Sequence, residues 1–119
     1  MTHKNSGPTR VFKAAYYSYK GIVSAIKHEA AFRQELILAV VLLPLAFWLD
    51  VTKLERLALV ATVVLVLVVE LLNSGIEAVV DRVGVEHHEL AGRAKDMGSA
   101  AVFLCLILTA FVWGTILFL

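Results

Sequence analysis

From Arg10 to Lys27 the apolar residues Phe12, Tyr16, Tyr19, Val23 and Ile26 recur at alternating steps of four and three, the spacing of one helical face. Lys13, Lys20 and Lys27 recur every seven residues and line a second, basic face. The pattern predicts an amphipathic helix over 8–28, suited to a membrane surface with anionic headgroups or to packing on partner helices. Beyond it the alternation gives way to apolar runs at 30–49, 55–81 and 97–118, each long enough to cross a hydrocarbon core of roughly 30 Å. Pro44 lies inside the first run, where neighbouring helices or a local kink absorb the lost backbone bond. The second run is interrupted by Glu70, Asn73, Glu77 and Asp81, spaced three, four and four apart on one stripe.

Composition sharpens this picture. With 119 residues, 60% of them hydrophobic, the chain predicts a single all-α integral membrane domain. A net charge of +1 gives no ground for a nucleic-acid partner. Six of the eleven Lys and Arg residues fall within 1–33 (Lys4, Arg10, Lys13, Lys20, Lys27 and Arg33), and Arg82, Arg93 and Lys95 lie in the 81–96 connection. Positive residues stay inside, so the N-terminus and that connection are expected in the cytoplasm, with the 50–56 turn and the C-terminus outside. Trp48 and Trp113 fall near the outer ends of the first and third spans, where amphipathic rings are enriched. Nothing in the N-terminal lead resembles a cleavable secretory signal. The single cysteine, Cys105, excludes an internal disulfide and a cysteine-rich zinc site.

This topology sorts the acids by depth. Glu29 opens the first span and Glu77 lies near the inner end of the second, both at the cytoplasmic interface. Glu35 and Glu70 lie about 9 Å and about 10 Å deeper at 1.5 Å of rise per residue. Lys95 and Asp96 sit at the mouth of the third span, with Ser99 one turn below Lys95. Glu35 also suits a helix N-terminus, and Asp50 a solvated turn. Glu77 and Asp81 share a face at a spacing where like charges repel, which points to a cation. Glu70, ionisable within a span, is by default a functional residue. Interfacial carboxylates beside a lysine suit Mg²⁺ carrying phosphate oxygens. Neither a Gly-x-x-x-x-Gly-Lys-Ser/Thr loop nor a Gly-x-Gly-x-x-Gly motif is present, which excludes an ordinary nucleotide-binding fold. The "EHHE" at 86–89 is not the His-Glu-x-x-His zinc spacing.

Three segments in fixed order, "EAAFRQE" (29–35), "VELLNSGIEAVVDR" (69–82) and "HELAGRAKDMGSAAV" (88–102), closely resemble the prokaryotic diacylglycerol kinase family of small membrane enzymes. The similarity runs from "TR" at 9–10 through the third span. It implies three transmembrane helices plus an N-terminal surface helix, assembled as a homotrimeric bundle in the bacterial inner membrane with active sites between subunits. It also implies transfer of the ATP γ-phosphate to diacylglycerol, giving phosphatidic acid, with Mg²⁺ as cofactor. Carried over position by position, Glu70 matches the general base, and Glu29 and Glu77 match the metal ligands. Arg10, Tyr17, Glu86, His87, His88, Lys95 and Asp96 match nucleotide contacts. A looser lipid cleft would touch Arg10, Ala14, Ser18, Glu35, Trp48, Arg56, Glu70, Ser99 and Trp113. Asn73, between the acidic layers, would hydrogen-bond the carboxylates or a phosphate, with Asp81 in support. Gly75 departs from the family's more frequent alanine, and His87 falls where the family varies.

Rival readings are the same reaction on undecaprenol, a small proton-coupled carrier using Glu70 as its proton site, and a structural subunit whose polar stripe glues helices. The carrier leaves Glu29, Glu77 and Lys95 unexplained. The stripe itself predicts an oligomer, since three spans are too few to encircle it, so a neighbouring subunit should help shield Glu70, Asn73 and Glu77.

Overall fold

The computed structural model describes residues 6–84 and 89–119, and these form four helices: α1 (Gly7–His28), α2 (Ala30–Trp48), α3 (Lys53–Val83) and α4 (Glu89–Phe118). The last three are long and apolar enough to cross a membrane. α1 starts with Pro8 in its first turn, where the missing N–H costs nothing, and ends with Lys27 and His28 against the negative end of its dipole.

α1 and α2 are separated by one residue. Glu29 leaves the helical region (φ −119°, ψ 106°), closing α1 as its last cap and opening α2 as its first. Arg33, one turn into α2, folds its guanidinium back to donate to the carbonyls of Ile26 at 2.8 Å and Lys27 at 3.3 Å. These are orphan acceptors at the end of α1, so Arg33 fixes the elbow at which Glu29 sits.

The connection between α2 and α3 is four residues, 49–52. Thr52 accepts from the Glu55 N–H at 3.1 Å while the Glu55 carboxylate accepts from the Thr52 N–H at 2.9 Å, a reciprocal capping box that starts α3. Arg56 donates to the carbonyls of Ala46 at 3.1 Å and Leu49 at 2.8 Å, sealing the C-terminus of α2. α2 runs through Pro44 without a break.

α3 and α4 pack antiparallel along most of their length, and α2 covers α3 from the other side. Ala39 and Ala46, two turns apart on α2, let α3 approach closely. Leu59, Val63 and Trp113 complete this core. The Trp113 indole N–H donates to the Leu59 carbonyl at 3.3 Å, and one turn along the Thr109 hydroxyl donates to the Cys105 carbonyl of its own helix at 2.7 Å while lying 3.4 Å from the Thr62 carbonyl of α3. Trp48 is exposed near the end of α2, as an interfacial ring would be, whereas Trp113 is buried in the core with its one polar atom satisfied. This cluster therefore occupies the half of the bundle near the α2–α3 turn, while Phe32 and Val102 are buried apart from it towards the acidic half.

α1 lies apart. Its Phe12, Tyr16 and Tyr19 side chains are uncovered by the chain's own helices, and among its described residues only Ala25 is buried. Lys20 sits 5.4 Å from the centre of the Tyr16 ring.

Candidate active site

The acidic end of the bundle is built around α3. Glu70 and Asn73 are 4% and 7% exposed, covered by the chain's own helices, so their shielding does not require a second subunit. That removes part of the reason for expecting one. Glu77, two turns beyond Glu70, is half-buried, and Asp81 is exposed.

Helix α2 supplies Glu35, which stands near Glu70 on α3. The two acids placed at similar depth by counting residues thus come together from α2 and α3. One Glu35 oxygen is buried and has no hydrogen-bond partner among the described residues. Glu77 and Glu29 are both near enough for their charges to act on Glu70.

Helix α4 supplies the cation. Lys95 forms an ion pair of 2.7 Å with Asp81, so the positive charge that the Glu77–Asp81 spacing calls for at Asp81 comes from the protein itself. Asn73 donates from Nδ2 to Glu77 at 3.2 Å, tying the middle of the stripe together. Asp96 and Ser99, also on α4, are exposed.

A cleft of about 580 Å³ opens between α1 and α3, lined by Ser18, Ala25, Glu29, Ser74 and Ala78 among others. The Ser74 hydroxyl is buried without a hydrogen-bond partner among the described residues. Glu29, at the elbow, reaches this cleft from one side and α3 bounds it from the other.

Other sequence-derived positions fall elsewhere. Arg10, Ala14, Tyr17 and Ser18 lie on exposed parts of α1. The Ser18 hydroxyl donates to the Ala14 carbonyl at 2.8 Å. Trp48, Arg56 and Trp113 belong to the turn end; Arg56 stands fourteen residues from Glu70 along α3, about 21 Å at helical rise. Glu86, His87 and His88 lie outside the described residues.

Among the described residues no group of three His, Cys, Asp or Glu side chains converges as a ready-made metal cage. The donors present suit Mg²⁺ nonetheless, because that ion keeps several waters and is commonly held by one or two carboxylates plus the phosphates of its substrate. Glu29 and Glu77 provide two all-oxygen donors, and neither engages a lysine or arginine in a described salt bridge.

Reading the sequence for charged and aromatic groups passes over Gly98 and Ser74, and it counts Arg33 only toward the basic N-terminal segment. Gly98 lies within "KDMGSAA", where a run of small residues beside charged ones is the only signal.

Comparison with known proteins fits this architecture. The family described as prokaryotic diacylglycerol kinase matches residues 16–117. The diacylglycerol kinase of Haemophilus influenzae is 51% identical over 116 residues, covering 98% of each chain. That of Escherichia coli is 51% identical over 117 residues, covering 98% of this chain and 96% of its own. That of Pseudomonas aeruginosa is 52% identical over 112 residues, covering 94% and 91%. With nearly the whole chain matched at this identity, the chain belongs to the prokaryotic diacylglycerol kinase family.

Proposed function

We propose that this protein is an ATP-dependent lipid kinase that transfers the γ-phosphate of Mg-ATP to the hydroxyl of diacylglycerol, giving phosphatidic acid in membrane phospholipid turnover. The observation that carries the reading, beside the family, is a buried Glu70 sharing one helical stripe with a more exposed Glu77. Phosphoryl transfer asks a protein chiefly for positioning and for electrostatic stabilisation of the transferring group. A lipid hydroxyl lies just below the headgroups, at the depth of Glu70, and ATP arrives from water, at the depth of Glu77.

Glu70 is the base that accepts or orients the hydroxyl proton, and Glu35 stands beside it from α2. Glu29 and Glu77 hold Mg²⁺, which when bound neutralises phosphate charge and lines up the γ-phosphoryl group. Arg10, Tyr17, Lys95 and Asp96 contact the nucleotide, with Glu86, His87 and His88 from the connection. The lipid follows Ala14, Ser18, Glu35 and Ser99 near its hydroxyl. Trp48, Arg56 and Trp113, about 21 Å further along α3, suit only its acyl chains.

The charge asymmetry supports a cytoplasmic N-terminus and 81–96 connection, where ATP is available, and the three membrane-length helices together with the family support the bacterial inner membrane. The uncovered apolar face of α1 and the open side of Glu77 support a homotrimer in which a neighbouring subunit completes each site. Cross-linking in mild detergent should therefore trap trimers, and fully active monomers would rule this assembly out.

The decisive assay adds labelled ATP to the purified protein with diacylglycerol or undecaprenol in mixed micelles. Labelled phosphatidic acid is expected. Label in undecaprenyl phosphate alone would move the substrate to the polyprenol branch, and no labelled lipid at all would reopen the proton-coupled carrier.

A further inference from the structure

Asn73 is buried and donates from Nδ2 to Glu77, but its Oδ1 is buried with no hydrogen-bond partner among the described residues. That oxygen lies against the backbone of α4 at Gly98, where a Cβ would occupy the space it fills. At Gly21, Gly75 and Gly114 the same position opens onto empty space. Gly98 itself is buried. The missing side chain at 98 is therefore what allows α4 to close over the Asn73 amide.

The orientation of that amide follows from chemistry. A carboxylate accepts hydrogen bonds only, so the end of Asn73 facing Glu77 must be the NH₂ and the end facing Gly98 the carbonyl. Turned the other way, the amide would set its oxygen against the Glu77 carboxylate. Lys95 is three residues before Gly98, on the same side of α4, and its ion pair with Asp81 holds that side against the stripe of α3. Lys95 thus fixes the register, and Gly98 supplies the clearance at the level of Asn73.

We infer that Gly98 is a positioning residue for the kinase reaction: by admitting Asn73, it aims the amide that orients the Glu77 carboxylate. The inference rests on the reading of Glu77 as a ligand of the metal–nucleotide. Gly98 touches neither substrate nor metal. It acts through one side chain on a metal-binding oxygen, the way an outer group tunes a first ligand. Added bulk at 98 displaces Asn73, and Glu77 loses its donor.

The test measures Mn²⁺ binding to the full-length protein in detergent, by the electron paramagnetic resonance signal of free Mn²⁺, with a non-hydrolysable ATP analogue present. The variants are Gly98→Ala, Asn73→Ala, the double substitution, Glu77→Gln and, as a control for replacing a helical glycine, Gly114→Ala. Gly98→Ala is expected to weaken Mn²⁺ binding by about 10- to 100-fold. It should also raise the KM for Mg-ATP more than it lowers kcat. Gly114→Ala should bind as the parent does. The double substitution should match Asn73→Ala alone, because once the amide is gone the methyl group has nothing to displace.

Normal Mn²⁺ binding by Gly98→Ala, or effects that add in the double substitution, would overturn the inference. If Glu77→Gln also bound Mn²⁺ normally, the metal-ligand reading of Glu77 would fall with it. If Glu77→Gln lost binding while Gly98→Ala kept it, only the positioning role would fall. Should Gly98→Ala not fold, the double substitution decides: removing the Asn73 amide must restore a folded protein that binds Mn²⁺ as Asn73→Ala does, and a double that stays unfolded overturns the inference.

Discussion

Glu70→Gln is expected to lower turnover on diacylglycerol by about 10²–10⁴-fold, the usual effect of removing a general base. Folding and nucleotide binding should stay close to normal, because glutamine keeps the shape and hydrogen-bonding capacity of the side chain and leaves Glu77 and Glu29 in place. Glutamine can also donate to the neighbouring Glu35 carboxyl, so the meeting of α2 and α3 at this depth is kept. The enzyme should therefore saturate normally with both substrates and turn over slowly, and raising Mg²⁺ should not help. Steady-state kinetics over a matrix of Mg-ATP and diacylglycerol concentrations checks this. Near-normal kcat in Glu70→Gln would make the deeper layer structural and send the search for the base to Glu35 and Asp96.

Glu77→Gln should fail differently. An amide oxygen is a weaker, uncharged ligand, so the variant is expected to need more Mg²⁺ and more nucleotide, with part of the lost activity returning as Mg²⁺ rises. The Asn73 donor would also face a neutral acceptor, weakening the contact that orients position 77. The two variants thus separate cleanly: one saturates but is slow, and the other responds to metal. If added Mg²⁺ had no effect on Glu77→Gln while Glu70→Gln recovered with it, the roles of the two layers would have to be exchanged.

Much of the fold is legible in the chain, because helical spacing in α1 and uninterrupted apolar length in the other three helices are local properties. The acidic stripe is legible for the same reason: Glu70, Asn73, Glu77 and Asp81 share a face whatever packs against them. What packs against them is not local. Spacing alone suggests a bound cation beside Asp81, but Lys95, from the next helix, already neutralises it. Arg33 counts toward the basic N-terminal segment, although its guanidinium is spent on two carbonyls of α1. Trp113 has the composition of an interfacial ring and is drawn into the core by a hydrogen bond to a residue fifty-four positions away. Gly98 carries no chemistry of its own, and its significance appears only when the Asn73 oxygen is found against it.

The separation of the apolar core at the turn end from the carboxylates at the other has a consequence for how variants of this enzyme can be interpreted. Among the described residues Leu59, Val63 and Trp113 share no hydrogen bond with Glu70, Asn73, Glu77 or Asp81. A substitution at Glu77, well away from the cluster, therefore leaves it in place, and a lost rate there reports on chemistry and not on unfolding. Conversely, a fault in the cluster loosens the register of α3 against α4 along its whole length and disables a site made of residues it never touches. Loss of activity alone cannot tell these two origins apart, but their thermal stability can: the first class melts like the parent protein, and the second melts early.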